Sequence, residues 1–274
     1  MSKYAGAKGA VTLETIRQRK EAGEKIVMVT CYDAAFARIV DRTEVDIVLV
    51  GDSLGNVMMG LDDTVGVTVD HMIHHSACVS RVLRKPFLAV DMPFGSYQVS
   101  PQQALENAFR LMQEGGAQAV KVEGGREIIH QVEALTAAGV PVIGHLGLTP
   151  QKIHALSGYK VQGRSDAASR EMLDDALALE QAGVFCLVLE LIPTALAASI
   201  SQALTVPTIG IGAGSGTGGQ VLVLQDLLGF DDGFKPRFLK HYANIGDTVA
   251  DALNEYSREV KQGLYPDAEH SFES

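Results

Sequence analysis

The sequence predicts an α/β protein in which eight parallel strands and their connecting helices close into a (β/α)₈ TIM barrel. Short runs rich in Val, Ile and Leu alternate with amphipathic helical segments along the chain, which is the pattern of a parallel sheet covered by helices. Five of these runs end at or next to an ionisable residue, and four of the five ends are acidic. Active sites of such barrels form at the carboxyl ends of the strands, so the repeated charges fit this fold.

The elements follow one another in the order that a barrel requires. A helix over about residues 12–23 precedes the first strand, and strand–helix–strand repeats imply parallel pairing. The 274 residues suit a single domain over residues 1–274, with a C-terminal helical extension over about residues 234–274. Eight strands are predicted, near residues 26–31, 46–51, 86–91, 118–123, 140–145, 184–190, 206–211 and 221–225.

The segment 100–116 shows why the connections are expected to be helices. Ser100 is a good N-cap, and Gln103 is placed to complete a capping box with it. The two glycines at 115–116 follow the last apolar position and predict the end of the helix. A predicted strand begins two residues later, so this helix connects two neighbouring strands.

Charge and hydropathy exclude two classes of partner. The chain has 23 Lys and Arg against 33 Asp and Glu, a formal net charge of −10, and its basic residues form no cluster. This charge disfavours binding to nucleic acid or to an anionic membrane surface. The most apolar stretch, residues 183–200, is interrupted by Glu190 and Pro193, so we predict no membrane span.

The cysteines and the first residues predict a cytoplasmic protein. Cys31, Cys78 and Cys186 are odd in number and lie in apolar surroundings without paired spacing, so we expect buried, reduced thiols. The first ten residues lack the hydrophobic run of a signal peptide.

Three acidic residues at successive strand ends point to a divalent cation. Asp52, Asp91 and Glu123 end or follow the second, third and fourth predicted strands. Their oxygens suit Mg²⁺, which also keeps water and substrate oxygens in its coordination shell, and Glu123 could act directly or through a water. Taken singly, each acid could equally cap the following helix. Their occurrence on three consecutive strands favours the metal, and no His–Cys set has zinc spacing.

Two further residues could hold a substrate. Lys121 and Glu123 share one face of the fourth strand, because alternate residues point the same way. Lys121 could fix a carboxylate or an oxyanion; a Schiff base and a purely structural Lys–Glu pair are the alternatives. His145 ends the fifth strand and could donate to a substrate oxygen or make a structural hydrogen bond.

Glu190 ends the sixth strand between apolar residues. Such neighbours should raise the pKa of its carboxyl group towards the range of a general base. The alternative is a carboxylate paired with an unidentified cation. A metal opposite a separate base suits enolisation of a 2-oxo acid, because the cation stabilises the enolate oxygen while the base removes the proton.

The glycine-rich stretch 210–219 contains G-x-G-x-x-G at Gly214, Gly216 and Gly219. A dinucleotide-binding loop should open a helix after the first strand of its domain, whereas an apolar strand-like run follows at once. We therefore do not predict dinucleotide binding. A phosphate-holding loop after the seventh strand is a better alternative, and simple tight turns are favoured over both.

Long segments of the chain resemble, in order, those of the ketopantoate hydroxymethyltransferase family. The resemblance runs over nearly the whole chain, from about Thr12 to the His-Ser-Phe near its end. The departures are small: Cys31 stands where Ala is usual and Gly66 where Pro is common. The matching segments are VDIVLVGDSLGNVMMG (45–60), AVDMPFGSYQ (89–98), AVKVEGG (119–125), PVIGHLGLTPQ (141–151), GYKVQGR (158–164), LVLELIP (187–193) and IGIGAG (209–214).

The resemblance implies a barrel of the phosphoenolpyruvate/pyruvate superfamily and a hydroxymethyltransferase of pantothenate biosynthesis. The implied reaction carries a hydroxymethyl group from 5,10-methylenetetrahydrofolate to 3-methyl-2-oxobutanoate, giving 2-dehydropantoate. It implies one Mg²⁺ per subunit at Asp52, Asp91 and Glu123, with Glu190 as proton acceptor. Contacts to the 2-oxo acid carry over to Asp52, Ser53, Asp91 and Lys121, and His145 is a further candidate.

Two other functions stay open. A related-barrel lyase acting on a phosphonate or a dicarboxylic 2-oxo acid would use the same cation and acids. It should require a reactive Cys or an Arg clamp, and the cysteines here follow no such motif. A non-catalytic protein that binds an oxo acid or a folate would need no base at Glu190.

The C-terminal segment 244–274 contains an apolar helix stripe that a finished barrel does not require. Such a stripe must be buried against the barrel's outer helices or another subunit. The family resemblance implies the second, a homo-oligomer and specifically a homodecamer. The stripe comprises Ile245, Val249, Leu253, Tyr256 and Val260.

Overall fold

The eight predicted strands form one closed parallel barrel. The computed structural model describes residues 9–156, 158, 160–230, 233 and 235–272. The strands pair in chain order, and β1 pairs with both β2 and β8, which closes the sheet and confirms the predicted fold. Their bounds are β1 Ile26–Thr30, β2 Ile47–Val50, β3 Phe87–Asp91, β4 Ala119–Glu123, β5 Val142–Gly147, β6 Cys186–Glu190, β7 Thr208–Ile211 and β8 Gly219–Leu222.

Helices connect most of the strands, as the alternating pattern predicts. Between β7 and β8 the glycine-rich stretch runs directly from one strand to the next, so it opens no helix and serves as a turn. The helices are α1 Leu13–Ala22, α2 Ala34–Val40, α3 Leu54–Val57, α4 Val69–Ser80, α5 Pro101–Gln113, α6 Ile129–Ala137, α7 Ile153–Leu156, α8 Asp166–Gln181, α9 Thr194–Ala203, α10 Leu224–Leu227 and α11 Ile245–Gln262.

The start of α5 corrects one detail of the prediction. Ser100 caps the helix as expected, because its hydroxyl accepts from the backbone N–H of Gln103 at 3.1 Å. The capping box is not completed. The side-chain oxygen of Gln103 accepts from the N–H of Val99 instead, at 3.1 Å, and its amide donates to the carbonyl of Gly95. The glutamine therefore ties the helix to the preceding loop.

The amino end of the barrel is closed by α1. Ile16 from this helix is 1% exposed and packs into the cluster formed by the inward-facing strand residues. Full burial of such a side chain contributes about 1.5–3 kcal/mol. An ion pair fixes the helix further: Arg19 Nη1 lies 2.8 Å from Asp46 Oδ1, and Asp46 Oδ2 accepts from the N–H of Val27 at 2.8 Å. The packing of α1 therefore closes the amino end of the barrel.

The chain forms two compact units, residues 1–223 and residues 224–274. The first contains the barrel and the second contains α10 and α11. The single-domain assignment and the extension over 234–274 stay predictions, and residues 234, 273 and 274 of that extension lie outside the described residues. Every residue of α11 is described, and none of them is buried. Among the described residues, no helix has the length and apolar character needed to cross a bilayer.

The cysteines are all free thiols, but they are not all buried. Cys31 and Cys186 are fully buried, as predicted, whereas Cys78 is partly exposed. Cys78 lies on α4, whose buried positions are Met72, Ser76 and Val79. Cys78 lies outside that buried face, and its apolar sequence neighbours did not indicate this exposure.

Candidate active site

Five ionisable side chains are buried together at the carboxyl end of the barrel. The strand register aligns them, since Asp91 of β3 lies opposite Lys121 of β4, and Glu123 of β4 lies opposite His145 of β5. Asp52 lies two residues beyond the end of β2, within one turn of the same end. Each of the five is at most 4% exposed. Burial of so many charges is costly unless they compensate one another or a ligand completes them.

Lys121 lies at the centre of the cluster. Its Nζ is 3.1 Å from Asp91 Oδ1, 3.3 Å from Glu123 Oε1 and 3.2 Å from His145 Nδ1. Burial alone would lower the pKa of Lys121, but Asp91, Glu123 and Asp52 outweigh burial and raise it. The side chain is therefore an ammonium ion. A Schiff base needs a neutral amine, so this environment favours the electrostatic role over the covalent one.

His145 connects two carboxylates. Its Nδ1 is 3.0 Å from Glu123 Oε1, and its Nε2 is 3.2 Å from Glu190 Oε2. Burial and Lys121 lower the pKa of His145, but Glu123 and Glu190 raise it to about 9. Burial would raise the pKa of Glu123, but Lys121 and His145 lower it to about 2. At neutral pH, an imidazolium therefore lies between two carboxylates.

Glu190 has the cationic partner that the sequence analysis gave as the alternative and left unidentified. It is the least buried of the site acids, with 16% of its side chain exposed, and its cation is His145. Its backbone carbonyl accepts from the N–H of Leu148 at 2.8 Å. Gly147 has a φ of +98° beside it, and a Cβ there would lie 2.1 Å from the Glu190 carbonyl oxygen. Only glycine allows β5 and β6 to approach this closely.

Asp52 and Asp91 form a carboxylate pair. The N–H of Asp52 donates to Asp91 Oδ2 at 3.0 Å. Burial, and then Asp91 and Glu123, raise the pKa of Asp52 well above its usual range. Burial also raises the pKa of Asp91, although Lys121 opposes it. Asp91 Oδ1 is buried and, among the described residues, has no partner in hydrogen-bond geometry.

This pair fits a Mg²⁺ ion. Among the described residues, no set of three or more His, Cys, Asp or Glu side chains is arranged to hold a metal. Both oxygens of Glu123 are engaged, Oε1 by Lys121 and His145 and Oε2 by the N–H of Gln151 at 3.1 Å. Mg²⁺ usually takes one or two carboxylates and fills its shell with water and substrate oxygens. Asp52 and Asp91 would hold it, and direct ligation by Glu123 stays a prediction.

The charge balance supports the same fit. When all four carboxyl groups are ionised, they exceed the two cationic side chains at this end of the barrel by two negative charges, in keeping with the raised pKa of Asp52, to which burial and then the neighbouring acids contribute. A divalent cation would compensate that excess. The groups counted are Asp52, Asp91, Glu123 and Glu190 against Lys121 and the protonated His145.

Three site residues were not predicted from the sequence. The hydroxyl of Tyr32 lies 2.8 Å from Ser53 Oγ, which anchors that predicted substrate contact. Tyr97 and Gln151 are 0% and 3% exposed. Tyr97 contacts the backbone of Glu123, and Gln151 donates to the carboxylate of Asp52. All three lie in segments that follow strand ends, and that position was the available signal. Irregular segments have no periodicity that would show which residue points inward.

Comparison with known proteins identifies the family. A family model described as Ketopantoate hydroxymethyltransferase matches residues 10–268. The chain belongs to the ketopantoate hydroxymethyltransferase family. It is therefore a hydroxymethyltransferase, as the sequence predicted.

Curated relatives support the assignment along the full chain. A 3-methyl-2-oxobutanoate hydroxymethyltransferase of Heliobacterium modesticaldum is 52% identical over 262 residues, covering 96% of this chain and 95% of that protein. One from an Anaeromyxobacter species is 50% identical over 278 residues, covering 100% of this chain and 91% of that protein.

Solved structures share the fold. A 2,3-dimethylmalate lyase of the PEP mutase/isocitrate lyase superfamily has a TM-score of 0.57 at 14% identity, covering 95% of this chain and 91% of that one. A phosphonopyruvate hydrolase in complex with oxalate and Mg²⁺ has a TM-score of 0.60 at 12% identity, covering 96% of this chain and 92% of that one. These similarities confirm the predicted barrel.

Proposed function

We propose that this member of the ketopantoate hydroxymethyltransferase family acts on 3-methyl-2-oxobutanoate, with 5,10-methylenetetrahydrofolate as one-carbon donor and Mg²⁺ as cofactor. The product is 2-dehydropantoate, an intermediate of pantothenate biosynthesis. One observation carries the proposal: the carboxylate of Glu190 pairs with His145 and not with the acidic pair of Asp52 and Asp91. Enolisation requires this division between a base and a cation site.

The cation site polarises the substrate. A Mg²⁺ ion bound there would supply Lewis acidity, which makes the C3–H bond next to the keto group easier to break. Asp52 and Asp91 are the residues that would hold it. Lys121, a permanent ammonium ion 3.1 Å from Asp91, would fix the substrate's carboxylate or keto oxygen. Ser53, held by Tyr32 at 2.8 Å, would position the same end of the molecule.

Glu190 would remove the C3 proton. The C–H electron pair then moves into the enolate. Water breaks the two C–N bonds of the folate's methylene group, which releases tetrahydrofolate and leaves the carbon as formaldehyde. C3 of the enolate adds to that carbon, and the former carbonyl oxygen takes a proton to become the hydroxyl group. His145 Nε2 lies 3.2 Å from Glu190 Oε2 but outside hydrogen-bond geometry, so it would orient Glu190 through charge, whereas Nδ1 of the same ring is hydrogen-bonded to Glu123. This is the arrangement of a base held by a second and a third group.

Deuterium exchange at C3 of 3-methyl-2-oxobutanoate, with Mg²⁺ and without folate, tests the proposal because it isolates proton removal. Glu190→Gln keeps the shape but cannot accept a proton, so exchange should fall by about 10²–10⁴-fold. Glu114→Gln makes the same chemical change at an exposed residue paired with Arg110 and should retain the parental rate. Parental exchange in Glu190→Gln would move the base to another group, and no exchange in the parent would refute the enolisation mechanism.

The proposal includes a homo-oligomer, specifically a homodecamer, in the cytoplasm. The helix α11 supports the assembly, because Val249, Leu253, Tyr256 and Val260 are 45–61% exposed on one stripe, and such stripes are normally covered. The free cysteines support a reducing compartment. Light scattering of the purified protein tests the assembly: a mass near the 29.2 kDa of one chain at micromolar concentration would refute it.

A further inference from the structure

We propose that Gln151 is a positioning residue that holds the carboxylates of Asp52 and Glu123 in one orientation, and that Tyr97 acts on this site through Gln151. The inference rests on the proposed function, since it concerns the preparation of the same cation site. The role of Gln151 follows from which of its atoms donate hydrogen bonds and which accept them.

Gln151 donates to both carboxylates from one buried position. It lies in a single turn of 3-10 helix, Pro150–Lys152, that follows β5. Its side-chain Nε2 donates to Asp52 Oδ2 at 2.8 Å and to the carbonyl of Met92 at 2.9 Å. Its backbone N–H donates to Glu123 Oε2 at 3.1 Å. Both hydrogens of the side-chain amide are therefore used.

The surroundings determine which way this amide points. Its oxygen accepts from the hydroxyl of Tyr97 at 2.8 Å and from the side-chain amide of Gln98 at 3.3 Å. An amide flip would place a nitrogen against the Gln98 donor and an oxygen against the Asp52 carboxylate. Both contacts would be repulsive, so the NH₂ group must face Asp52.

Tyr97 is itself fixed. Its ring is fully buried, and its hydroxyl accepts from the N–H of Glu123 at 2.9 Å. The same oxygen lies 3.0 Å from the carbonyl of Glu123 and 2.8 Å from Gln151 Oε1. The hydroxyl has one proton, and two acceptors are within reach of it. The tyrosine thus joins the end of β4 to Gln151.

A neutral donor has a particular advantage here. A Lys or Arg at position 151 would also fix Asp52, but it would cancel the negative charge that attracts a cation. An amide occupies Oδ2, fixes the plane of the carboxylate and leaves its charge in place. Asp52 can then meet a metal ion without first reorienting. Partners of metal ligands typically account for about 10–100-fold in affinity or activity.

The test uses four variants and three measurements. Gln151→Met keeps the length and the backbone N–H but removes the side-chain donor and acceptor. Tyr97→Phe keeps the buried ring, and the third variant combines the two changes. Gln118→Met is the matched control, because it makes the same chemical change outside the acidic cluster. Gln118 lies one residue before the start of β4, and its side chain accepts from the N–H of Leu88 at 2.8 Å. The measurements are Mn²⁺ affinity by electron paramagnetic resonance without substrate, C3 exchange, and thermal unfolding in EDTA.

We expect Gln151→Met to lower Mn²⁺ affinity and C3 exchange by about 10–100-fold, and Tyr97→Phe to lower them by about 10-fold. The double variant should lose no more Mn²⁺ affinity than Gln151→Met. Tyr97 contacts the backbone of Glu123 and not its carboxylate, so it reaches the two carboxylates through Gln151. Gln118→Met should lower the melting temperature and leave affinity and exchange unchanged. This pattern separates positioning from stability alone.

Parental Mn²⁺ affinity in folded Gln151→Met would overturn the positioning role. Losses that multiply in the double variant would overturn the action of Tyr97 through Gln151. If Gln151→Met does not fold, Tyr97→Phe decides in its place, and parental affinity in that variant overturns the inference. Failure of the proposed function is distinguishable, because it appears as absent C3 exchange in the parent, where the Mn²⁺ measurements still apply.

Discussion

Two buried aspartates, Asp46 and Asp52, lie on either side of β2, and their surroundings differ. They are 2% and 3% exposed. At the amino end of the barrel, Asp46 is paired with Arg19 at 2.8 Å. At the carboxyl end, the carboxylate of Asp52 accepts a hydrogen bond from the neutral amide of Gln151 at 2.8 Å. The backbone N–H of Asp52 donates to the carboxylate of Asp91.

The difference shows how one strand serves two purposes. At the amino end the chain supplies the cation that offsets the cost of burying a carboxylate. At the carboxyl end, burial and then the neighbouring acids raise the pKa of Asp52, so the folded chain bears an electrostatic cost there. The barrel is completed for stability at one end and prepared for a ligand at the other.

The largest expected effect comes from Asp52→Asn. Loss of a cation ligand should lower C3 exchange by about 10³-fold or more, since metal assistance contributes several kcal/mol. Thermal stability in EDTA should be equal to or higher than that of the parent, because one of the repelling carboxylates becomes neutral. Exchange measured by NMR and thermal unfolding check the two halves. A strongly destabilised variant would contradict the view that Asp52 costs the fold stability.

A pH titration should sharpen the contrast at the carboxyl end. The folded state raises the pKa of His145 from 6.5 to about 9, so it binds the proton more tightly than the unfolded chain. The stabilisation is complete below pH 6.5 and is lost as the pH rises from 6.5 to about 9. We expect the free energy of unfolding in EDTA to fall by about 1–3 kcal/mol across this window. Chemical denaturation of His145→Gln should give a flatter profile.

Asp46→Asn should have a smaller effect than Asp52→Asn, and it should lower stability and not C3 exchange. It leaves Arg19 without its partner, and because that side chain is 34% exposed, we expect a loss of about 1–2 kcal/mol of stability. C3 exchange per folded molecule should stay at the parental level. A fall in exchange without a fall in stability would show that the two ends are coupled.

The smallest effect concerns two thiols, one at each end. Burial raises the pKa of Cys31, directly after β1, to about 11 and that of Cys186, at the start of β6, to about 12. At pH 8 about one thiol in a thousand or fewer would be a thiolate. A thiol reagent should therefore label the native protein once, at the partly exposed Cys78, and three times after denaturation. Rapid labelling of Cys31 would show that the carboxyl end opens.

The fold was predictable because its signals are local. Runs of Val, Ile and Leu predict strands such as β3 and β6, and parallel strands bring their carboxyl ends to one edge, which places Asp91 near Lys121. The pairing of His145 with Glu190 was not predictable. It depends on the register in which Gly147 lies opposite Glu190, and no periodicity encodes that register. The sequence allowed an ion pair at Glu190 but could not identify its cation, which is His145.

Gln151 and Tyr97 show a second limit of sequence reasoning. Both lie in irregular segments, where side-chain direction follows from turns and not from a repeating pattern. Their hydrogen bonds join residues 26 to 99 positions apart. A buried polar residue in a loop has no local sign of its partners.

The close approach at Gly147 has a consequence for how this protein tolerates mutation. In a saturation library selected for growth that depends on the enzyme, position 147 should accept glycine alone, as strictly as positions that bear reacting groups. The reason is spatial, since any Cβ there would meet the backbone oxygen of Glu190 at 2.1 Å. An observer who ranked positions by intolerance would place a residue without a side chain among the most essential ones.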